Sequence, residues 1–181
     1  MTTRSTAPMN TQSGILAGCV NGRVWVRIEG KGSHQNSREL KAFVQDQVQT
    51  TGGQRVIVDL SSCTGMDSTF MGTLTCIAGR LDEAGGTLLV IHAAGRNSEL
   101  LRSLGLDEIF TVDDNEEHLT EPGAAPQCTS LPVEPCGKLE RAEICLESHE
   151  ALAGADPRNA AKFRDVIELM RARREPAMMA R

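Results

Sequence analysis

The chain has 181 residues, a formal net charge of −5 and a hydrophobic content of 40%, which suits about one domain with a buried core and some additional segments. Because the net charge is negative without a long block of like charges, and no run of about eighteen apolar residues occurs, the composition argues against a nucleic-acid surface and against membrane insertion. Aromatic residues make up only 3% of the chain, so aliphatic side chains must fill the core, as is common in α/β proteins.

Residues 1–14 are rich in Ser, Thr, Asn and Pro and lack the apolar core of a secretory signal, so we expect a flexible leader and a cytoplasmic protein. The six cysteines form no C-x-x-C pair, a distribution that suits neither a disulfide framework nor a zinc ribbon. We interpret most of them as small apolar residues, and we predict no metal and no cofactor.

Hydrophobic periodicity predicts a β-hairpin followed by alternating helices and strands. Two short strand patterns over 15–19 and 23–29 flank Asn21-Gly22, a strong signal for a two-residue hairpin turn. The later predicted elements are helices over 40–48, 71–81 and 98–104 and strands over 56–60, 87–91 and 109–112. The order ββαβαβαβ indicates a small α/β domain over 15–114, with helices on a mixed but mostly parallel sheet.

The remainder of the chain has a different character. Residues 115–137 are rich in proline and predict a linker, and two striped segments within 138–174 predict a helical hairpin, followed by a tail over 175–181. Two helices of this length do not hold a core alone. We therefore expect the hairpin to dock on the first domain, on a partner, or on its copy in a second chain.

The segment TGMDSTFMG directly follows the buried strand pattern over 56–60 and places Asp67, Ser68 and Thr69 at the predicted start of a helix. Ligands and anions favour this end of a parallel strand, because the following helix offers free N–H groups and the positive end of its dipole. A hydroxyl at a helix start is ordinarily an N-cap. A phosphate on Ser68 would instead add about two negative charges at this point, and the residues alone leave both interpretations open.

The chain resembles the STAS domains, typified by bacterial anti-sigma factor antagonists. The resemblance is carried by VIVDLSSCTGMDSTFMGTL, by GGTLLVIHAAGRNSELLRSLGLDEIFTV and, more loosely, by VRIEGKGSHQNSRELKAFV. It implies a signalling module that is not an enzyme and that regulates transcription by binding an anti-sigma factor, which is also a serine kinase. The hydroxyl after the aspartate is the phosphoacceptor in that family and corresponds to Ser68. In that family, phosphorylation breaks the complex, and a phosphatase restores it.

The sequence departs from the family pattern at two places. Phe70 replaces the glycine that usually follows the hydroxyl pair, and Gly30-Lys31-Gly32-Ser33 replaces an acidic Gly-Glu-x-Asp segment. The partner-binding residues that the resemblance implies are Asp67, Thr69, Phe70, Met71 and Ser33. The alternative within the family is an unphosphorylated scaffold or subunit of a signalling or transport assembly, in which the same helix start is a docking surface.

Other site chemistries have less support. A hydrolase centred on Ser68 would need a Gly-x-Ser-x-Gly elbow and a partner histidine, and no histidine has a defined relation to Ser68 in the sequence. Cys145 and His149 have the spacing of two metal ligands on a helix but lack a second pair, which favours helix packing. Cys128 and Cys136 in the linker could pair or react, but without a basic neighbour we expect inert thiols.

Overall fold

A computed structural model describes residues 13–20, 22–51, 55–114 and 127–179. The strands are β1 (Gly14–Val20), β2 (Arg23–Gly32), β3 (Arg55–Asp59), β4 (Cys63–Met66), β5 (Thr87–Ile91), β6 (Thr111–Asp113) and β7 (Thr129–Ser130). The helices are α1 (Ser37–Thr51), α2 (Ser68–Glu83), α3 (Arg96–Ser103), α4 (Lys138–Ala155) and α5 (Pro157–Met179). These elements confirm the predicted α/β class.

One sheet connects all the strands. Its order is β6-β5-β3-β2-β1-β7. β4 also pairs with β2, along the part of β2 that extends beyond its pairing with β3. β1 runs antiparallel to β2 and to β7, and the other pairs are parallel. Gly22, in the turn between β1 and β2, has a φ of 73°, a conformation that glycine adopts without steric cost. Asn21 of the predicted turn lies outside the described residues.

The main core lies between the sheet and the helices. Alternate residues of β2 point into it, because successive side chains of a strand face opposite sides of the sheet. The core includes Val24, Val26, Ile28, Leu40, Val44, Phe70, Leu74, Leu101 and Leu152, which come from β2 and from α1, α2, α3 and α4. A smaller buried cluster of Ile57, Leu89 and Ile91 packs with Trp25. The sheet therefore buries apolar residues on both faces, as the continuous apolar runs predict.

Four local features differ from the sequence prediction. α5 extends to Met179, so residues 175–179 of the predicted tail are helical. The last strand of the parallel ladder was expected over 109–112 but is β6, because a single 3₁₀ turn over Leu106–Glu108 precedes it. The N–H groups of Ile109 and Phe110 donate back to the carbonyl oxygen of Leu106, so these two residues continue the turn. β4 and β7 were not predicted.

The helical hairpin docks on the first domain, which is one of the three expected arrangements. α4 packs along α2, and α5 packs against α4. Leu152 of α4 is fully buried in the main core, and the side-chain amide of Asn159 donates to the carbonyl oxygen of Leu104 over 2.9 Å. Residues 115–126 of the predicted linker lie outside the described residues. None of the helices in the described part of the chain combines the length and apolarity that a membrane crossing requires.

Candidate functional site

Asp67 is the N-cap of α2. Its backbone is extended, with φ −95° and ψ 171°, and its Oδ1 accepts a hydrogen bond from the N–H of Phe70 over 2.9 Å. The interpretation of a hydroxyl at this helix start as the N-cap is therefore wrong. Aspartate and serine cap helices about equally well, and here the aspartate one residue earlier holds the position. Ser68 is the first residue of the helix, and its hydroxyl is available for another contact.

Asp67 also joins the start of α2 to the loop after β2. Its Oδ2 accepts from the N–H of His34 over 3.2 Å, and the Nδ1 atom of His34 lies 3.7 Å from the same oxygen. The N–H of Asp67 donates to the carbonyl oxygen of Gly32 over 3.0 Å. In the same loop Ser33 is buried, and its N–H donates to the Oδ1 atom of Asn36 over 2.8 Å. The loop and the helix start are thus one hydrogen-bonded unit.

The hydroxyl of Ser68 contacts a histidine of α4. Ser68 Oγ lies 3.0 Å from His149 Nε2, and His149 Nδ1 lies 2.7 Å from the carbonyl oxygen of Cys145. Because a carbonyl oxygen only accepts, Nδ1 carries a hydrogen. In the tautomer with this single N–H, Nε2 accepts and the Ser68 hydroxyl donates. His149 is 6% exposed, and its ring packs edge-on against Phe163 at a centroid distance of 5.6 Å.

This contact corrects the expectation that no histidine has a defined relation to Ser68. The two residues are 81 positions apart, so no local pattern could have paired them. The stripe on α4 that includes His149 was predicted, as was its role in helix packing, and the burial of the ring confirms that role. The sequence pattern of α4 did not show that this face of the helix packs against α2.

The α2–α4 crossing is close and mostly polar on the α2 side. Thr69 Oγ1 lies 3.7 Å from Cys145 Sγ, and Thr73 Oγ1 lies 3.1 Å from Ser148 Oγ. A β-carbon added to Gly72 would come within 2.1 Å of the carbonyl oxygen of Ser148. The residue at position 72 must therefore be glycine for the two backbones to approach this closely.

Charged pairs flank the crossing. The carboxylate of Glu147 on α4 contacts Lys41 of α1 and lies 3.3 Å from the guanidinium of Arg80 on α2. The thiol of Cys76 lies 3.8 Å from the backbone carbonyl of Glu147. Burial, together with the nearby Glu147 carboxylate, raises the pKa of Cys76 to about 11, so this thiol is almost entirely protonated at neutral pH.

Several of the predicted partner-binding residues face inward. Thr69, Phe70 and Met71 are buried, and the Phe70 ring packs so closely on Gly32 that a β-carbon there would lie 2.7 Å from the ring. Phe70, which replaces the glycine of the family pattern, thus fills core volume. Asp67 and Ser68 are partly exposed and are the predicted site residues that solvent reaches.

A second polar cluster lies at the carboxyl end of β3. The fully buried carboxylate of Asp59 accepts hydrogen bonds from Arg27 Nε over 2.7 Å and from the N–H of Ser61 over 2.9 Å, and His92 Nδ1 lies 2.8 Å away. Burial raises the pKa of Asp59, but the hydrogen bonds from Ser61, Arg27 and His92 outweigh it and hold the pKa below its ordinary value. We interpret this cluster as a structural ion network.

The cysteines are all free thiols. Cys145 belongs to the α2–α4 interface through its sulfur and its carbonyl oxygen. Within the described ranges, no three side chains of His, Cys, Asp and Glu come together in a geometry that could hold a metal ion.

A comparison with protein families gives a match over the α/β domain. The family model described as "Mlab, STAS domain" matches residues 21–112, which is about half of the chain. The chain belongs to the STAS domain family. The match ends before the hairpin of α4 and α5, so the helix that covers Ser68 is an addition to the family domain.

Solved structures share the fold at low sequence identity. A crystal structure of a protein from Thermotoga maritima, provisionally described as an anti-sigma factor antagonist, is 19% identical, covers 57% of this chain and 88% of that chain, and has a TM-score of 0.52. An NMR structure of the same protein is 20% identical, covers 59% and 85%, and has a TM-score of 0.53. These matches concern the STAS domain fold and not the partners of either protein.

Two further structures have lower TM-scores. The anti-sigma factor antagonist SpoIIAA in its unphosphorylated form is 15% identical, covers 48% of this chain and 79% of that chain, and has a TM-score of 0.44. A sulfate transporter family protein from Wolinella succinogenes is 21% identical, covers 54% and 81%, and has a TM-score of 0.48. Both scores are too low to carry an argument about this chain.

Proposed function

We propose that this protein is an anti-sigma factor antagonist-like signalling module, without enzymatic activity of its own, whose switch is phosphorylation of Ser68. Its partner would be an anti-sigma factor with serine kinase activity, bound through the start of α2 and the loop after β2. One observation carries the proposal beyond membership of the STAS family. Because Asp67 caps α2, the Ser68 hydroxyl lies at the positive end of the helix without a capping role.

The chemistry of the switch follows from this position. The kinase transfers the terminal phosphoryl group of ATP: a bond forms between Ser68 Oγ and phosphorus, the phosphoanhydride bond breaks with ADP as leaving group, and the hydroxyl proton is released. The new group adds about two negative charges beside the Asp67 carboxylate. The helix dipole favours an anion there, whereas a partner packed on the same surface must desolvate it. A phosphatase reverses the step by hydrolysis to serine and phosphate.

Mass spectrometry of the protein purified from its own cells tests the proposal. We expect one phosphate, removable by phosphatase, on the peptide that contains Ser68, and none in a Ser68→Ala variant. Thr69 is the internal control, because its hydroxyl is buried. In binding to the purified kinase partner, Ser68→Asp should be weaker than Ser68→Ala by about 2 to 5 kcal/mol. An unmodified Ser68 across several growth conditions would refute the switch.

A second candidate function is that of an unphosphorylated scaffold in a signalling or transport assembly. The observation that favours it is the hydrogen bond of Ser68 to His149, which already satisfies the hydroxyl. Absence of phosphate on Ser68, with an assembly that persists, would support this function instead.

A hydrolytic centre has less support than either, although Ser68 and His149 are paired. The group behind His149 Nδ1 is the carbonyl oxygen of Cys145 and not the carboxylate of a catalytic triad. The sequence also has no Gly-x-Ser-x-Gly elbow. We therefore interpret the Ser68–His149 pair as a contact that holds α4 on α2.

A further inference from the structure

We propose that one face of α2 is a helix-docking surface that the chain's own α4 occupies, so that a kinase or other partner reaches Ser68 only after α4 has lifted. We call this surface the Ser68 face, formed by Ser68, Thr69, Gly72, Thr73 and Cys76. Residues four apart lie on the same side of a helix. The inference rests on the proposed function only in taking the start of α2 as the partner-binding surface.

The first line of evidence is that every residue of the Ser68 face contacts or closely approaches α4. The contacts with α4 are made by Ser68 to His149, Thr69 to Cys145, Thr73 to Ser148, Cys76 to the Glu147 carbonyl, and Gly72 to the Ser148 backbone. A glycine at the closest point lets two helix backbones approach as an ordinary side chain would not. The face is thus built for a helix.

The second line of evidence is the polar character of these contacts. Hydroxyl, thiol, imidazole and backbone carbonyl groups make them, and the flanking carboxylate of Glu147 and guanidinium of Arg80 are both nearly half exposed. Exposed ion pairs and hydrogen bonds that water can replace contribute little net stability each. Opening this interface leaves the packing of α2 on the sheet in place, but it withdraws Leu152 of α4 from the main core and therefore costs free energy.

The contacts also define the kind of partner that would replace α4. Such a partner presents a helix with a carboxylate in the place of Glu147, facing Lys41 and Arg80. The next residue must leave its backbone close to Gly72, as Ser148 does. The residue after that supplies a hydrogen-bond acceptor for the hydroxyl of Ser68.

Alkylation of native thiols tests whether α4 covers the Ser68 face. Cys76 lies under α4, Cys63 lies in β4 of the same domain, and Cys19 is exposed. In the full-length protein, Gly72→Ala places a β-carbon against the Ser148 carbonyl, whereas Gly79→Ala on the same helix meets no atom within 4 Å. Residue-resolved mass spectrometry after iodoacetamide treatment gives the rate at each thiol, normalised to Cys19.

We expect Cys76 to react at least about tenfold faster in Gly72→Ala than in the wild type, because opening both exposes the thiol and lowers its pKa. Cys63 should react at an unchanged rate, and Gly79→Ala should match the wild type at both thiols. A wild-type rate at Cys76 in Gly72→Ala would overturn the proposal.

If Gly72→Ala also accelerates the alkylation of Cys63, the added methyl group has disturbed the domain itself. The His149→Ala variant is then the deciding test, because this substitution only removes atoms and adds no clash. Faster alkylation of Cys76 with unchanged Cys63 supports the cover. A Cys76 rate equal to that of the wild type in His149→Ala overturns the proposal. Faster alkylation of Cys63 in His149→Ala also overturns it, because α4 would then open only when the domain itself opens. In the wild type, a Cys76 rate that rises over about a hundredfold dilution would assign the cover to a second copy and overturn the arrangement in one chain.

A peptide experiment tests the helix-docking chemistry. A synthetic peptide of residues 138–155, added in excess to the His149→Ala protein, should slow the alkylation of Cys76 towards the wild-type rate. The matched peptide with Glu147→Lys, which reverses the charge facing Lys41 and Arg80, should not. Equal effects of the two peptides would refute this part of the proposal. None of these measurements involves phosphate, so their failure and the failure of the Ser68 switch are separate results.

Discussion

Replacement of Asp67 by alanine tests the double role of its carboxylate at the start of α2. The variant loses the N-cap bond to the Phe70 N–H and the bond to the His34 N–H. The cap contributes about 1 kcal/mol and the second hydrogen bond about 1 kcal/mol, so we expect the free energy of unfolding to fall by about 2 kcal/mol. Urea unfolding followed by the fluorescence of Trp25, the single tryptophan, measures this change.

The matched variant is Asp67→Asn, whose amide oxygen can still cap the helix but cannot serve both N–H groups. We expect it to lose about 1 kcal/mol, with faster amide hydrogen exchange at His34 than at Phe70. A loss below about 0.5 kcal/mol in Asp67→Ala, or equal losses in the two variants, would refute the argument that one carboxylate holds both the loop and the helix.

Two further substitutions test the core around the site. Asp59 has a lowered pKa, so its contribution to stability is complete above its unfolded-state pKa of about 3.9 and is lost as the pH falls through its folded-state value. Asp59→Asn should therefore cost about 3 kcal/mol at pH 7 and progressively less below about pH 4, and a pH-independent difference in urea unfolding would contradict this. Gly32→Ala, whose β-carbon would lie 2.7 Å from the Phe70 ring, should cost about 1 to 3 kcal/mol. Phe70→Leu in the same chain should recover part of that loss, whereas strictly additive losses in thermal unfolding would exclude the clash.

The sequence predicts the larger elements because their signals are local. The strand pattern over 87–91 coincides with β5, since a continuous apolar run between turn residues identifies a buried strand. β4 and β7 have only four and two residues, too few for any periodicity, and they form because β2 and β1 offer edges for pairing. Such short strands depend on tertiary context that a local pattern does not contain.

The candidate site divides in the same way. The sequence predicts a helix start within residues 67–69, but the choice between Asp67 and Ser68 as cap depends on a shift of one residue, which local preferences do not resolve. The partner of the Ser68 hydroxyl could not be predicted at all, because His149 reaches it only through the path of the linker and the docking of α4. The family pattern predicts a phosphoacceptor at Ser68 but contains no equivalent of that helix.

The pairing of β7 with β1 determines how the cover competes with a partner. Leu131, directly after β7, donates its N–H to the carbonyl oxygen of Ile15 over 2.9 Å, and α4 begins at Lys138. A lifted α4 therefore remains on a short tether at the sheet edge, where its effective concentration is on the order of millimolar. A partner helix must compete with the tethered α4. Its apparent dissociation constant therefore rises by about the ratio of chains with α4 docked to chains with α4 lifted. Because β7 has only two residues and fixes the point at which the tether starts, it also fixes the tether length. The tether length determines how strongly α4 competes, and hence the partner concentration that is needed to displace it.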